Sequence, residues 1–321
     1  LGGFLTEHVS WRWCFFVNVP IALIALAGAW SLVSESRAQG STRYDWPGVV
    51  LAALGLGSLV YGFTNAEHGW DAPEAWGFIA AGAALLVLFV VVERKVRHPL
   101  LPLRVATERN RGAAFLASFL SGAVLIGGIL FINFYIQIVL GFAPFLAGLA
   151  SLPMTVAVLI TAGLVAKNLP KLGAKIPTAA GPVFMAAAML WLSRVSADGS
   201  YLVSMLPALL LMGAGLGMVF VPMQNLALFG VDRDDSGVAS ALVNASQEIG
   251  GSLGIALFST IAAAATAGGV SLAALSTGYA TVFLWAAGVA ILIAPMALLL
   301  ITIDRRTFTG TGGDAPVVHL G

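Results

Sequence analysis

The stretch Gly112–Leu140, GAAFLASFLSGAVLIGGILFINFYIQIVL, carries no charged side chain and follows directly on Arg109-Asn110-Arg111. About 20 apolar residues in helical form cross a bilayer core. At about 1.5 Å per residue this stretch reaches about 43 Å, so it tilts or extends beyond the lipid. Eight further apolar stretches share its character: Trp13–Ser34, Pro47–Ala66, Trp76–Val92, Phe145–Ala166, Ile176–Ser193, Tyr201–Phe229, Val238–Ala264 and Ala280–Ile303. Nine such segments predict an all-α integral membrane protein.

The charges between the segments alternate. Arg37 and Arg43 follow the first segment, and Arg94, Lys95, Arg97, Arg104, Arg109 and Arg111 follow the third. Lys167, Lys171 and Lys175 follow the fifth, Arg233 the seventh, and Arg305 with Arg306 the ninth. Only Arg12 and Arg194 of the 16 basic residues lie on the opposite side. Basic loops stay cytoplasmic, so the C-terminus is expected inside and Leu1 outside. This predicts a multi-pass protein of a cell membrane, with a bacterial inner membrane as the expected setting.

Composition agrees. The chain is 59% hydrophobic and 10% charged, against about 25% charged residues in a soluble domain. A net charge of +1 gives no electrostatic case for nucleic acid. Cys14 is the only cysteine, which excludes an intrachain disulfide. His8, His68, His98 and His319 fall in loops or tails and form no ligand spacing, so no metal is expected. There is no P-loop, HExxH or GxSxG, and no enzymatic activity is expected. Residue 1 is Leu, and Leu1–Ser10 lacks the basic and cleavage features of a signal peptide. The sequence is therefore read as lacking an N-terminal part.

The expected organisation has five parts. Residues 1–34 form an outer loop and one helix, and 35–92 form two further helices. Residues 93–111 form a basic cytoplasmic connection in which Pro99 and Pro102 argue against one unbroken helix. Residues 112–306 form a compact six-helix set, and 307–321 a disordered Gly- and Thr-rich tail.

Glu248 is the one ionisable residue well inside a span. An acid near the midplane costs about 2.5–3.5 kcal/mol on insertion scales, so it faces protein or water rather than lipid. Asn244, Glu248 and Ser252 repeat at i, i+4 and i+8 on one helix face, with Gln247 beside them. One reading is a proton-binding carboxylate. The other is an acid at a cavity edge, or one paired with a residue beyond the sequence. Asn133, Tyr135 and Gln137 interrupt the fourth span. Amides there either bond a neighbouring helix or line a cavity, and Gln137 is the preferred cavity residue, with Gln224 and Asn225 weaker candidates. Asp232, Asp234 and Asp235 flank Arg233 in a turn that caps the next helix or forms a gate. Pro153, Pro182, Pro207, Pro222 and Pro295 disturb helices, and Gly213, Gly215, Gly217, Gly250, Gly251 and Gly254 suit close helix packing or a moving part.

Several of these stretches together resemble one family. Ser10-Trp11-Arg12-Trp13 and Phe16-Val17-Asn18-Val19-Pro20, preceded by Leu1-Gly2-Gly3, are similar to a signature of the 14-spanner drug:proton antiporters of the major facilitator superfamily. His98-Pro99-Leu100-Leu101-Pro102-Leu103-Arg104 resembles the inner loop before that family's seventh main helix. Gln137, Gly141, Gly148, Leu152-Pro153, Gly213–Gly217, Pro222, Gln224-Asn225, Gln247, Gly250-Gly251 and Gly254 extend the resemblance to about Arg306. Lys167–Lys175 with Gly173 resembles a degenerate copy of the family's gating loop. The resemblance implies a partial major facilitator fold: helix six, two inserted helices and the C-terminal six, with five helices preceding them. Gly2 and Gly3 would then end the antiporter motif.

The expected function is proton-coupled export of drugs or other lipophilic compounds by alternating access, with the proton gradient as energy source and no cofactor. Membrane lipid, a small lipophilic substrate and the preceding helices are the expected partners. The alternatives are a dedicated exporter of one antibiotic or siderophore, and a non-transporting membrane sensor or fragment.

Overall fold

A computed structural model describes residues 2–32, 45–65, 73–96, 107–231, 235–266 and 268–302. The basic stretch His98–Arg104, Arg37, Arg43, the Asp232–Asp234 turn and the 307–321 tail lie outside the described residues.

The regular secondary structure of the described residues is helical, and nine helices among them are long and apolar enough to cross a membrane. In chain order the elements are α1 (Gly2–His8), α2 (Trp13–Phe16), α3 (Asn18–Leu32), α4 (Trp46–Asn65) and α5 (Pro73–Glu93). They continue with α6 (Arg109–Val139), α7 (Pro144–Ala150), α8 (Leu152–Leu172), α9 (Lys175–Leu192), α10 (Tyr201–Leu228), α11 (Ser236–Thr266) and α12 (Leu272–Leu300). With α2–α3 and α7–α8 each counted as one crossing, the expected spans are present with modest shifts. The last one begins at Leu272 rather than Ala280. The Ser271 hydroxyl accepts the Ala274 N–H at 3.2 Å and opens the helix early. The polar residues that follow do not break it: Ser276 donates to Leu272 O at 2.7 Å and Thr277 to Ala273 O at 3.0 Å.

The prolines divide into two groups. Pro153 stands in the first turn of α8, where no N–H bond is lost, and opens that helix rather than disturbs it. Pro207 follows directly on the π-turn that opens α10, at the start of its regular α-helical part. Pro170, Pro182, Pro222 and Pro295 lie inside helices. The long α6 is not uniform: Ala123–Gly127 and Tyr135–Val139 are π-helical turns, and a third π-turn, Tyr201–Met205, opens α10.

Lipid tails are as apolar as leucine, so helices in a bilayer associate through close packing rather than through the hydrophobic effect. Small residues set the approaches here. A Cβ on Gly250 or Gly122 would strike the backbone carbonyl of Phe119 or Gln247 respectively, and Gly254 lies against Ala123, which brings α6 and α11 into backbone contact. Gly213 and Gly217 do the same for α10 against Met154 and Val158 of α8, and Gly215 meets Gly181 of α9. The α6, α10, α11 and α12 helices form the central packing, with α9 against α10 and α12, and α8 against α10. Met185, Met189 and Leu192 of α9 are fully buried, as are Met212 of α10 and Val282 and Phe283 of α12. The pair α4–α5 packs on itself through Gly55, Gly62 and Gly82, and α4 also touches α11. The apolar side chains Ile21, Leu23, Ile24, Leu26 and Trp30 of α3 are exposed.

Hydrogen bonds tie the helix ends. The Glu108 carboxylate accepts the Arg111 N–H at 2.9 Å and opens α6. Arg109 donates to Leu299 O at 2.6 Å, and Asn110 Oδ1 accepts the Thr302 N–H at 2.7 Å, which joins α6 to the end of α12. Burial works against the Glu108 carboxylate, but the Arg111 and Asn110 N–H groups, the Asn110 amide and the Arg111 charge outweigh it and hold its pKa below the usual value. A depressed carboxyl stabilises above its unfolded value, and that contribution is lost as pH falls through the folded one. At the opposite end, Tyr135 is fully buried and its hydroxyl donates to Ser196 O at 2.8 Å, while Tyr201 donates to Ala150 O at 2.6 Å. The Tyr135 hydroxyl therefore ties α6 to the connection between α9 and α10 rather than interrupting the span.

Two outcomes are expected. Gly250→Val forces α6 off α11 and costs about 1–3 kcal/mol, whereas Gly288→Val, where a Cβ meets nothing within 4 Å, leaves the melting temperature in detergent nearly unchanged. Equal shifts for the two variants would contradict the packing described. Tyr135→Phe leaves the Ser196 carbonyl without its donor and costs about 1 kcal/mol, read by the same melt.

Candidate functional site

Of the polar residues singled out in the sequence, Gln224 and Gln247 come together. They line a recess between α6, α10 and α11, walled also by Ser118, Ser121, Leu125, Phe220 and Met223. Its volume is about 30 Å³, which is room for about one water molecule. The recess exists because the glycine contacts hold α6 and α11 at backbone distance. Gly122 packs on the Gln247 carbonyl, and the Gln247 side chain then projects between α6 and α10.

The lining is mainly apolar, and its few polar groups are not ionisable. Ser118 Oγ donates to Met223 Sδ at 3.4 Å. Ser121 Oγ is buried and has no hydrogen-bond partner among the described residues. A buried hydroxyl of this kind costs free energy until it is paired. The two serines were not singled out in the sequence. Their signal was the Ser118–Ser121 spacing of i, i+3 on an apolar helix, which sets both hydroxyls on one face.

The remaining candidates stand apart from this recess. Glu248 is exposed, and so is Asn244. The Asn244 amide donates to Ser240 O at 3.2 Å, and Ser252 Oγ to the Glu248 carbonyl at 3.0 Å, so both side chains are engaged on their own helix. One residue of α11 turns the chain by about 100°, which separates Glu248 from Gln247. Asn133 is partly buried and donates to Ile129 O at 3.0 Å, whereas Gln137 is exposed in the π-turn. Asn225 donates to Val221 O at 2.8 Å.

Two acids are more deeply buried than Glu248. Asp45 is 8% exposed and Glu93 3%. The Gly48 N–H donates to Asp45 Oδ1 at 3.0 Å, and the second Asp45 oxygen and Glu93 Oε1 both lie where a Gly48 Cβ would stand. The two carboxylates thus meet at the base of the α4–α5 pair. Asp45 ahead of Trp46-Pro47 at a helix start was a readable capping signal. Nothing in the sequence placed Glu93 beside it. Among the described residues no group of three or more His, Cys, Asp or Glu side chains is placed to hold a metal ion.

At the other end of the molecule, α1 lies on α7. Gly3 packs against the Pro144 carbonyl. Glu7 Oε2 accepts the Phe145 N–H at 2.9 Å. Phe4 stacks on His8 with ring centroids 4.6 Å apart, and both rings meet Phe145 edge-on. Gly2 lies 4.0 Å from Cys14 Sγ, measured from the position of a Cβ.

The chain matches known proteins over most of its length. It is 38% identical over 318 residues to the puromycin resistance protein of Streptomyces alboniger, covering 95% of this chain and 63% of that one. It is 34% identical over 324 residues to the cephamycin export protein of Amycolatopsis lactamdurans, covering 99% of this chain and 66% of the relative. An uncharacterised transporter of Mycobacterium tuberculosis, EfpA, is 32% identical over 314 residues, covering 94% and 59%. The chain thus spans about three fifths of the length of the relatives it matches. Residues 1–255 match the family model for the Major Facilitator Superfamily. With its multiple membrane-spanning helices, the chain is a multi-pass membrane protein that belongs to the Major Facilitator Superfamily.

Proposed function

We propose that this chain is the larger part of a proton-coupled exporter of lipophilic compounds working by alternating access. The observation that carries the reading is the superfamily match over residues 1–255, joined to relatives named for resistance to, or export of, puromycin, cephamycin and tetracenomycin C. In this reading residues 1–34 belong to one helical bundle, 35–92 are an inserted pair, and 112–306 form the second bundle. The bundles rock about a shared central cavity. The recess of α6, α10 and α11 is the second bundle's contribution. At about 30 Å³ the recess is far smaller than a drug-sized pocket, so in this reading it widens into the central cavity as the bundles part. Its apolar walls then suit a lipophilic substrate, and Gln224, Gln247, Ser118 and Ser121 offer hydrogen bonds without fixed charge.

Orientation follows the basic connections, which are taken as cytoplasmic, with the C-terminus inside a bacterial membrane. The driving force is one or more protons and no cofactor. A proton moved across 100 mV supplies about 2.3 kcal/mol, enough to hold a roughly fifty-fold gradient of a neutral compound. Glu248 is the proposed coupling acid. Its exposure in α11 supports contact with a solvated cavity or with the preceding helices.

A second reading is favoured by the relatives' names, several of which specify one antibiotic each. In it the substrate is a single natural product rather than a broad set. The same recess serves both readings, and the number of compounds exported separates them.

The test uses the intact natural protein in everted membrane vesicles. Glu248→Gln is expected to abolish export driven by an imposed proton gradient while leaving expression and melting unchanged. Unaltered gradient-driven export in that variant would remove Glu248 from the mechanism. Gln247→Leu is expected to shift apparent affinity about fivefold or more, with proton coupling intact, in line with loss of one or two hydrogen bonds at a partly buried site.

A further inference from the structure

We infer that Glu7 and Phe145 form a releasable latch that holds the α1 end of the transporter shut. The inference rests on the alternating-access reading above. It begins from a contact between segments 138 residues apart, the 2.9 Å hydrogen bond from the Phe145 N–H to Glu7 Oε2. Three further contacts converge on the same place. Gly3 approaches the Pro144 backbone so closely that any side chain would collide, Phe4 packs edge-on to Phe145 at 6.0 Å, and His8 does so at 6.2 Å.

The position makes this contact more than packing. Arg12 and Arg194 mark this end of the molecule as the sparsely basic side, opposite the arginine-rich connections. The α1 segment precedes α3, the helix assigned to the first bundle, and α7 leads into α8 of the second. A contact from α1 to α7 therefore bridges the two bodies whose separation opens that face. The α3 helix exposes its apolar side chains, and α2 packs on α1 and α3.

The chemistry suits a latch that opens and closes. The bond joins an ionised side chain to a backbone donor at an exposed place. Such a bond is charge-assisted, but water competes for both partners. When the bodies part, the Glu7 carboxylate and the Phe145 N–H are both rehydrated and neither is left orphaned. The aromatic faces give shape to the closed form, and the hydrogen bond sets its register. A buried ion pair would lack this reversibility, because breaking it strands a charge. Glu7 thus acts as a positioning residue in the cycle and needs no contact with substrate.

The experiment reads the opening of that face directly, without substrate. In the intact natural protein with Cys14 and every other native cysteine replaced by serine, a single reporter cysteine is placed at Ser121→Cys, and its labelling by a membrane-impermeant maleimide added outside is timed. Glu7→Ala removes the acceptor, and Phe145→Pro removes the donor from the other side while proline remains tolerated in a first helical turn. Phe145→Pro also deletes the ring that meets Phe4 and His8, so Glu7→Ala is expected to raise the labelling rate roughly three- to tenfold, Phe145→Pro at least as much, and the double variant no further than Phe145→Pro alone. Glu7→Gln keeps an oxygen acceptor and should stay within about twofold of the parent. Parental labelling rates in both Glu7→Ala and Phe145→Pro, at parental expression, overturn the latch, as do fully additive effects in the double variant. A protein that exports while its reporter ignores these changes disproves the latch and keeps the transport reading. A responsive reporter, when the natural protein with Ser121 intact exports nothing, keeps the latch and disproves the transport reading.

Discussion

The backbone contact between α6 and α11 sets the geometry on which the rest of the second bundle depends. Lipid offers no hydrophobic drive to bring two helices together, so contact requires surfaces without side chains. Gly122 and Gly127 on one helix, and Gly250, Gly251 and Gly254 on the other, supply them. The consequence reaches the chemistry. With α6 and α11 this close, the Gln247 side chain is directed toward the recess that they form with α10, where it meets Gln224 of α10 and the two serines of α6. A wider spacing would admit lipid tails and leave those polar groups unpaired in hydrocarbon.

The α6 helix also carries a change of pitch. Its π-turn at Ala123–Gly127 begins one residue after Gly122 and lies on the glycine face of α11. A π-turn adds a residue to one turn and rotates all that follows. Ser118 and Ser121 lie before this irregularity and Asn133 with Gln137 after it, and the twelve-residue separation of Ser121 from Asn133 sets them about 18 Å apart along the helix. The two acids at the base of α4–α5 follow a different logic. There, Gly48 makes room for the Asp45 and Glu93 carboxylates beside a helix start.

The membrane-spanning helices were legible in the sequence because about 20 consecutive apolar residues need no tertiary information to be read. The start of α12 was not. Ser276 and Thr277 look like loop residues, but their hydroxyls bond carbonyls one turn back and so are satisfied inside the helix. Periodicity grouped Asn244, Glu248 and Ser252 correctly on one face, yet it could not say which face of α11 meets a neighbour. That choice is made by the pairing of Gly250 with Phe119, which involves another helix. Glu93 and Glu7 were passed over for a related reason, since their significance lies in Asp45 and in the Phe145 N–H, which are remote in the chain. The family signature at Ser10–Pro20 placed the chain in its superfamily without revealing these contacts.

Coupling between proton and solute defines an exporter of this kind, and one measurement addresses it most directly. The intact natural protein is reconstituted in proteoliposomes containing a pH indicator, with ethidium as the lipophilic probe and no nucleotide present. An outward ethidium gradient should drive proton movement in the opposite direction, and collapse of the pH difference by an ionophore should stop uphill ethidium transport. Ethidium movement that ignores the ionophore, or proton movement that ignores ethidium and a panel of structurally distinct antibiotics, would contradict a proton-coupled exporter.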